Sequence, residues 1–376
     1  MSDHPAPPVP EPVDVQGSAL VDWEFAAAAA ARLAPPGPKA DRAEIAALVA
    51  DLRSAASRAV GPVAETARMQ APADAPPALV VDRAGWIRAN CASMGEMLAP
   101  VLDDVIARKR EADRQRAERA GRELPDLGAA SQAISGKVTG TEVAGLLSWV
   151  STKVLGQYDL APQGNPTLMF VAPNILGAER ELGADPADFR LWVAVHEETH
   201  RVQFTAVPWL RQHLIDQARS VGTTMMPEPD QMGQRLVEIA RAMPAVLRGE
   251  EDITQVVATP EQRERLARVT AVMSLLEGHA DVVMDEVGPS VIPSVEHIRR
   301  QFTQRRKGAG NVDKLLRRLL GMEAKMRQYK DGAVFVRAVV DQVGVDGFNQ
   351  VWTSPETLPH PTEIADPPAW VARVHG

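Results

Sequence analysis

The chain has 376 residues, with 41 Lys and Arg against 49 Asp and Glu, and a formal charge of −8. That length permits one large domain or two ordinary ones, and the acidic balance argues against broad binding to nucleic-acid phosphates. Aromatic residues make up only 4% of the chain, which favours helix over strand, and the sole cysteine, Cys91, excludes both an intramolecular disulfide and a cysteine metal cluster.

Residues 1–17 are Pro-rich and acidic with little to bury, and are expected to be a disordered tail. This start lacks a basic stretch followed by an apolar core, so no signal peptide is expected. No apolar run approaches a membrane span, and the expected location is the cytoplasm. The remainder, 18–376, reads as a single domain. Helices are predicted over Val21–Leu33, stopped by Pro35-Pro36-Gly37-Pro38, and over about Asp41–Val60, where Ile45, Leu48, Val49 and Leu52 recur at helical spacing. A short strand is predicted at Ala78–Asp82, followed by helical periodicity over Arg83–Arg110. The mixed-sign run Arg108–Glu123 reads as a solvated helix end or an exposed loop.

Val138–Leu155 reads as a long apolar helix halted by Gly156 in a left-handed turn, with a loop beginning at Gln157. Thr167–Ala172 is the strongest strand in the chain. It is either an ordinary core strand or an edge able to pair with an extended peptide.

Asp185-Pro186 then opens a helix over about 186–206, with Asp185 suited to cap it and Pro186 to the first position. This helix carries His196-Glu197-Glu198-Thr199-His200, an H-E-x-x-H pattern. Residues four apart on a helix share a face, so His196 and His200 can hold one metal, and Glu197 lies where it can act on a water as general base. A hydrolytic zinc site needs a third protein ligand. A third His six residues beyond His200 is excluded by Ala206, and His213 has no recognised spacing.

The best candidate is Glu277 in Leu275–Asp285, on a helix over about 264–286, where Glu277-x-x-x-Asp281 resembles the second-helix pattern of gluzincins, in which the Glu binds zinc. Asp281 lies one turn on from Glu277, placed to support a ligand imidazole from outside the ligand set. His279 points about 200° away from Glu277 on that helix, so the two should not share a metal. Gly278 within a helix costs about 1 kcal/mol relative to Ala. It would be tolerated if another backbone, with the metal helix as candidate, approaches there. For an oxyanion donor, His297, Tyr158 and Tyr329 are the candidates. Asn311–Tyr329 and Ala333–Val343 read as further helices. The Pro-rich Val351–Gly376, with Trp352 and Trp370, reads as an extended strap packed across the domain.

The segments WVAVHEETHRVQF, VLGQYDL, VAPNI and VPWLRQHL, then EGHADVVMD, KMRQYKDGAVFV and the PETLP tail, resemble the actinobacterial zincin-like metallopeptidase type 2 family from about Val21 to Val374. The resemblance implies a largely helical zincin-like domain with a little sheet and the HExxH helix at its core. Its HExxH residues fall on His196, Glu197 and His200. The expected function is a gluzincin-like, zinc-dependent hydrolysis of an amide in a peptide or protein substrate. Zn2+ would be held by His196, His200 and Glu277. The alternative is a metal-binding scaffold without proteolytic activity that acts by interaction. A nucleic-acid role for the basic Arg299–Lys307 is disfavoured by the net acidity, and no nucleic-acid or membrane partner is expected.

Overall fold

A computed structural model of the chain describes residues 20–121, 129–225, 258–307 and 322–376. The Pro-rich N-terminal stretch and most of the amphipathic stretch from Asn311 lie outside them. The described chain is mainly α with one small sheet. No helix among the described residues is long and apolar enough to cross a membrane. The chain divides into two compact units, residues 1–35 with 83–152, and residues 36–82 with 153–376.

The first unit holds α1 (Trp23–Leu33), α3 (Arg83–Ala120) and α4 (Ala129–Val150). Asp22 caps α1 by accepting a 2.9 Å hydrogen bond from the Phe25 amide. Its core includes Trp23, Ala26 and Ala30 from α1, Trp86, Ile87 and Cys91 from α3, and Ala144 and Leu147 from α4. The charge run from Arg108 continues α3 as an exposed helix, where Arg108 pairs with Asp104 one turn back.

The second unit begins with α2 (Arg42–Ala67), which runs about two turns past the predicted end and through Pro62. The apolar stripe Leu48, Leu52, Ala55, Ala59, Val63 and Ala67 is buried along its whole length, and that burial outweighs the missing hydrogen bond at proline. Three strands follow: β1 (Leu79–Val81), β2 (Gly156–Asp159) and β3 (Thr167–Val171), in the order β1-β3-β2. β1 runs parallel to β3, and β2 runs antiparallel to it, with Gly156 opposite Phe170 and Asp159 opposite Thr167. Of the two readings open for Thr167–Ala172, the core strand holds: β3 is central, with four buried residues. One expectation is corrected here, since Gly156–Asp159 is an outer strand and not a loop. The helix before it ends at Val150, so Gly156 is no helix stop.

Ala172–Leu182 (α5) starts where Pro173 ends β3, and Gly183, at φ 58°, closes it in the left-handed region. Helix α6, which carries the HExxH residues, spans Pro186–Ala206 as predicted, with the Asp185 carboxylate accepting from the Asp188 amide at 3.0 Å. After α7 (Leu210–Met225) comes α8 (Pro260–Val291), which starts earlier than predicted. The Thr259 hydroxyl accepts from the Gln262 amide at 3.2 Å, and the Gln262 side chain accepts from the Thr259 amide at 2.7 Å. This reciprocal cap fixes the entry. Gly288, at φ 68°, breaks α8 near its end. Next come α9 (Val295–Lys307) and α10 (Met322–Phe348), the latter broken at Gly344. The chain finishes with two 3-10 turns, Asn349–Trp352 and Pro355–Thr357, and α11 (Pro367–His375). The predicted strap is therefore coiled rather than extended. It does pack: Trp370 is fully buried, and its indole N–H donates to the Thr357 carbonyl at 2.8 Å.

α8 joins two clusters of buried side chains. Val283, Met284 and Val287 belong to one with α2, β3, α5 and α6, whereas Ala271, Val272, Leu275 and Leu276 belong to the other with α7, α10 and the C-terminal turns. Its backbone meets that of α10 at a pair of glycines. A β-carbon on Gly278 would fall 2.2 Å from the carbonyl carbon of Gly332, and one on Gly332 would fall 1.9 Å from the Ser274 oxygen. The backbone expected to approach Gly278 is thus that of α10 and not the metal helix.

Candidate metal centre

α6 packs against both α2 and α8, which brings its histidine face to Glu277. His196 and His200 turn their Nε2 atoms towards each other at 3.2 Å. Glu277 lies 3.7 Å from the first of these nitrogens and 3.8 Å from the second, through different carboxylate oxygens. Four ligands at about 2.0–2.1 Å around a tetrahedral zinc stand about 3.3 Å apart, so these spacings need only a small closure. The donor set, two imidazoles and one carboxylate, is that of a site with one coordination position left for water. Among the described residues this trio is the group of His, Cys, Asp and Glu able to share an ion. The side chains of His196, His200 and Glu277 keep 24%, 12% and 26% of their surface exposed, so solvent reaches the site.

Glu197 is more deeply buried than the three candidate ligands. It is only 5% exposed and lies under β2, where Gly156 leaves it room: a β-carbon at 156 would stand 2.6 Å from its carboxyl carbon. Burial, and then the charge of Glu277, push the Glu197 carboxyl well above the usual carboxylate range. A carboxylate of raised basicity suits proton transfer near neutral pH. Two residues on from Gly156, the Tyr158 ring stacks on Phe204 of α6 with centroids 5.4 Å apart. Burial raises the Tyr158 hydroxyl against the pull of Arg211 and Arg201. Glu198, the other acid of the motif, takes no part in the trio. It is 1% exposed and is held by Arg201 through two 2.8 Å bonds.

His279 stays outside the ligand group, as its helical position implies. It is buried against Phe348 and Trp352, and burial, with the nearby His200 as the lesser cause, pushes its imidazole down to about 3. His213 of α7 packs against Trp209 and is not in the trio. Asp281 occupies the turn after Glu277, where its backbone carbonyl accepts from Arg299 at 3.2 Å. The Tyr329 side chain is outside the described residues. One functional residue was missed by the sequence reading. Gln203, fully buried on α6, places its side-chain oxygen 2.9 Å from Nδ1 of His200. The signal was available, since a residue three places past the second histidine shares its face. At the other imidazole, Met284 of α8 sets its sulfur 3.1 Å from Nδ1 of His196.

A family model described as zincin-like metallopeptidase matches residues 21–371. A crystal structure of a Chloroflexus aurantiacus protein, described as a candidate hydrolase with a novel fold, is similar at 30% identity and a TM-score of 0.64. The match covers 95% of this chain and 99% of that one. No curated protein matches significantly. A match over almost the whole length makes this chain a member of the zincin-like metallopeptidase family.

Proposed function

We propose that the protein is a zinc-dependent metallohydrolase that cleaves an amide bond in a peptide or protein substrate. The observation that carries this is the convergence of His196, His200 and Glu277 with a buried, basic Glu197 beside them. A divalent metal held by the trio would supply Lewis acidity, acidifying a water and polarising a carbonyl. The chain's own part is proton transfer and placement. Glu197 takes a proton as the water oxygen bonds to the carbonyl carbon, and it returns that proton to the amine as the C–N bond breaks. Gly156 keeps β2 close over Glu197, so an extended substrate lying along this outer strand would present its backbone beside the base. Asp281 is assigned to outer support of the ligand set, one turn from Glu277.

The test is metal content and activity measured together. Purified protein should hold close to one zinc per chain by mass spectrometry. Glu197→Gln should keep that metal while losing cleavage of a peptide library by at least a hundredfold. A metal-free wild type, or a fully active Gln variant, overturns the proposal. A zinc-loaded wild type that cleaves nothing leaves a metal-binding scaffold as the function.

A further inference from the structure

Gln203 is fully buried and touches three groups, and hydrogen-bond chemistry allows only one arrangement of them. Its side-chain nitrogen lies 2.9 Å from the backbone carbonyl of Leu276 and 3.0 Å from Nδ1 of His279, and its oxygen lies 2.9 Å from Nδ1 of His200. The Leu276 carbonyl can only accept, so the amide nitrogen must face it. With the nitrogen there, its second hydrogen points to His279, whose Nδ1 must be the bare acceptor. The oxygen is left for His200, whose Nδ1 must therefore carry the hydrogen. In the neutral ring the remaining nitrogen of His200, Nε2, then has its lone pair free, and this is the atom that faces His196 and Glu277.

We infer that Gln203 is a positioning residue that locks His200 in the Nδ1–H tautomer, presenting Nε2 as a ready metal donor. The inference rests on the metal reading of the site for its purpose, but its geometry is independent of any ion. Imidazole in water prefers the opposite tautomer, which would aim a hydrogen at the metal position. Gln203 removes that choice. The same side chain bonds α6 to the carbonyl immediately before Glu277, so one residue sets both the orientation of the second ligand and its distance from the third. His279, wedged against Phe348 and Trp352 with ring centroids at 5.2 and 5.5 Å, anchors the far end of the relay. The C-terminal turns thereby bear on the metal site without touching it.

The experiment is long-range proton–nitrogen correlation NMR on metal-free protein labelled at histidine, with the His200 signals assigned by their loss in His200→Asn. The expected spectrum shows a protonated Nδ1 and a bare Nε2 at His200. Gln203→Met should bring up the Nε2–H form and weaken zinc binding, measured by chelator competition, about tenfold to hundredfold. An Nε2–H tautomer at His200 in the wild type overturns the inference, as does a Met variant with wild-type zinc affinity. If Gln203 only tied the helices together, the variant would lose stability with tautomer and affinity unchanged, which also overturns it. Should the variant fail to fold, the wild-type spectrum decides alone. A wild type that binds no zinc refutes the metal reading, and the metal-free spectrum still judges Gln203.

Discussion

Substituting Gly278 by Ala pits local helix propensity against tertiary packing, and the two predict opposite signs. Propensity alone makes the change stabilising by about 0.8–1 kcal/mol, because Gly in a helix interior is that much worse than Ala. The structure opposes it. The new β-carbon would lie 2.2 Å from the carbonyl carbon of Gly332 and 2.5 Å from the amide nitrogen of Ala333, both backbone atoms. Contact distances between such atoms are about 3.5 Å, so α8 and α10 must part by more than 1 Å. Overpacking of a fitted interior costs about 1–3 kcal/mol, and an obstacle of backbone with no rotamer to turn aside belongs at the upper end. The net expectation is a loss of about 2 kcal/mol, or about 4–8 °C in melting temperature for a unit of this size. Gly332→Ala should behave alike, since its β-carbon meets the Ser274 carbonyl. The double variant should cost less than the sum, because one separation of the helices serves both. Denaturant unfolding of the metal-free protein measures all three. A Gly278→Ala protein as stable as the wild type, or more so, refutes the claim that backbone contact demands glycine here.

The remaining expectations concern other parts of the same unit. Arg190 is buried on α6, bonds Glu179 of α5 twice, at 2.8 and 3.0 Å, and reaches Asp51 of α2 at 2.6 Å. Removing it strands a Glu179 that is 5% exposed, so Arg190→Ala should lose about 3–5 kcal/mol in urea unfolding, and a loss under 1 kcal/mol would contradict the assignment. Gly156→Ala should displace Glu197, leaving zinc affinity near wild type while cutting peptide cleavage about a hundredfold; equal cleavage would show that Glu197 tolerates the intrusion. In the C-terminal turns burial works against ionisation of Glu363, but the paired Arg373 and the His360 amide outweigh it and hold the carboxyl below the ordinary range. A depressed native pKa stabilises above the unfolded value, about 4.3, and that stability is lost as pH falls through the native one. The stability difference between wild type and Glu363→Gln should therefore be largest at neutral pH and shrink on acidification below pH 4, followed by tryptophan fluorescence. A difference that grows with acid would reverse the assigned sign.

How far the sequence could be read depended on how local each feature was. The capped metal helix was legible to the residue, because Asp185, Pro186 and the four-residue spacing of the histidines act within one helix. Glu277 was picked out by the resemblance of Glu277-x-x-x-Asp281 to a gluzincin second helix, and the fold brings it to the two histidines. β2 was not legible. Four residues, Gly156 to Asp159, carry too little pattern to announce a strand, and their pairing is set by β3. Gly156 looked like a helix stop because a glycine says only that a side chain is unwelcome, not which atoms exclude it. Gln203 was overlooked for a related reason: its face could be predicted, but not the carbonyl and the second imidazole that meet it.

The sequence by itself therefore indicated the start and extent of α6, the shared face of His196 and His200, and Glu277 as the candidate third donor, since helical periodicity and ligand chemistry are written in residues near one another or in residue type. Only the tertiary structure decided which backbone passes Gly278, why Glu197 is buried, and what holds His200. Each of these depends on segments dozens of residues apart coming to a short distance: Gly278 beside Gly332, Glu197 beside Gly156, and Gln203, which meets His200, against Leu276 and His279. A linear pattern carries no record of that distance, and close packing in the folded chain creates it.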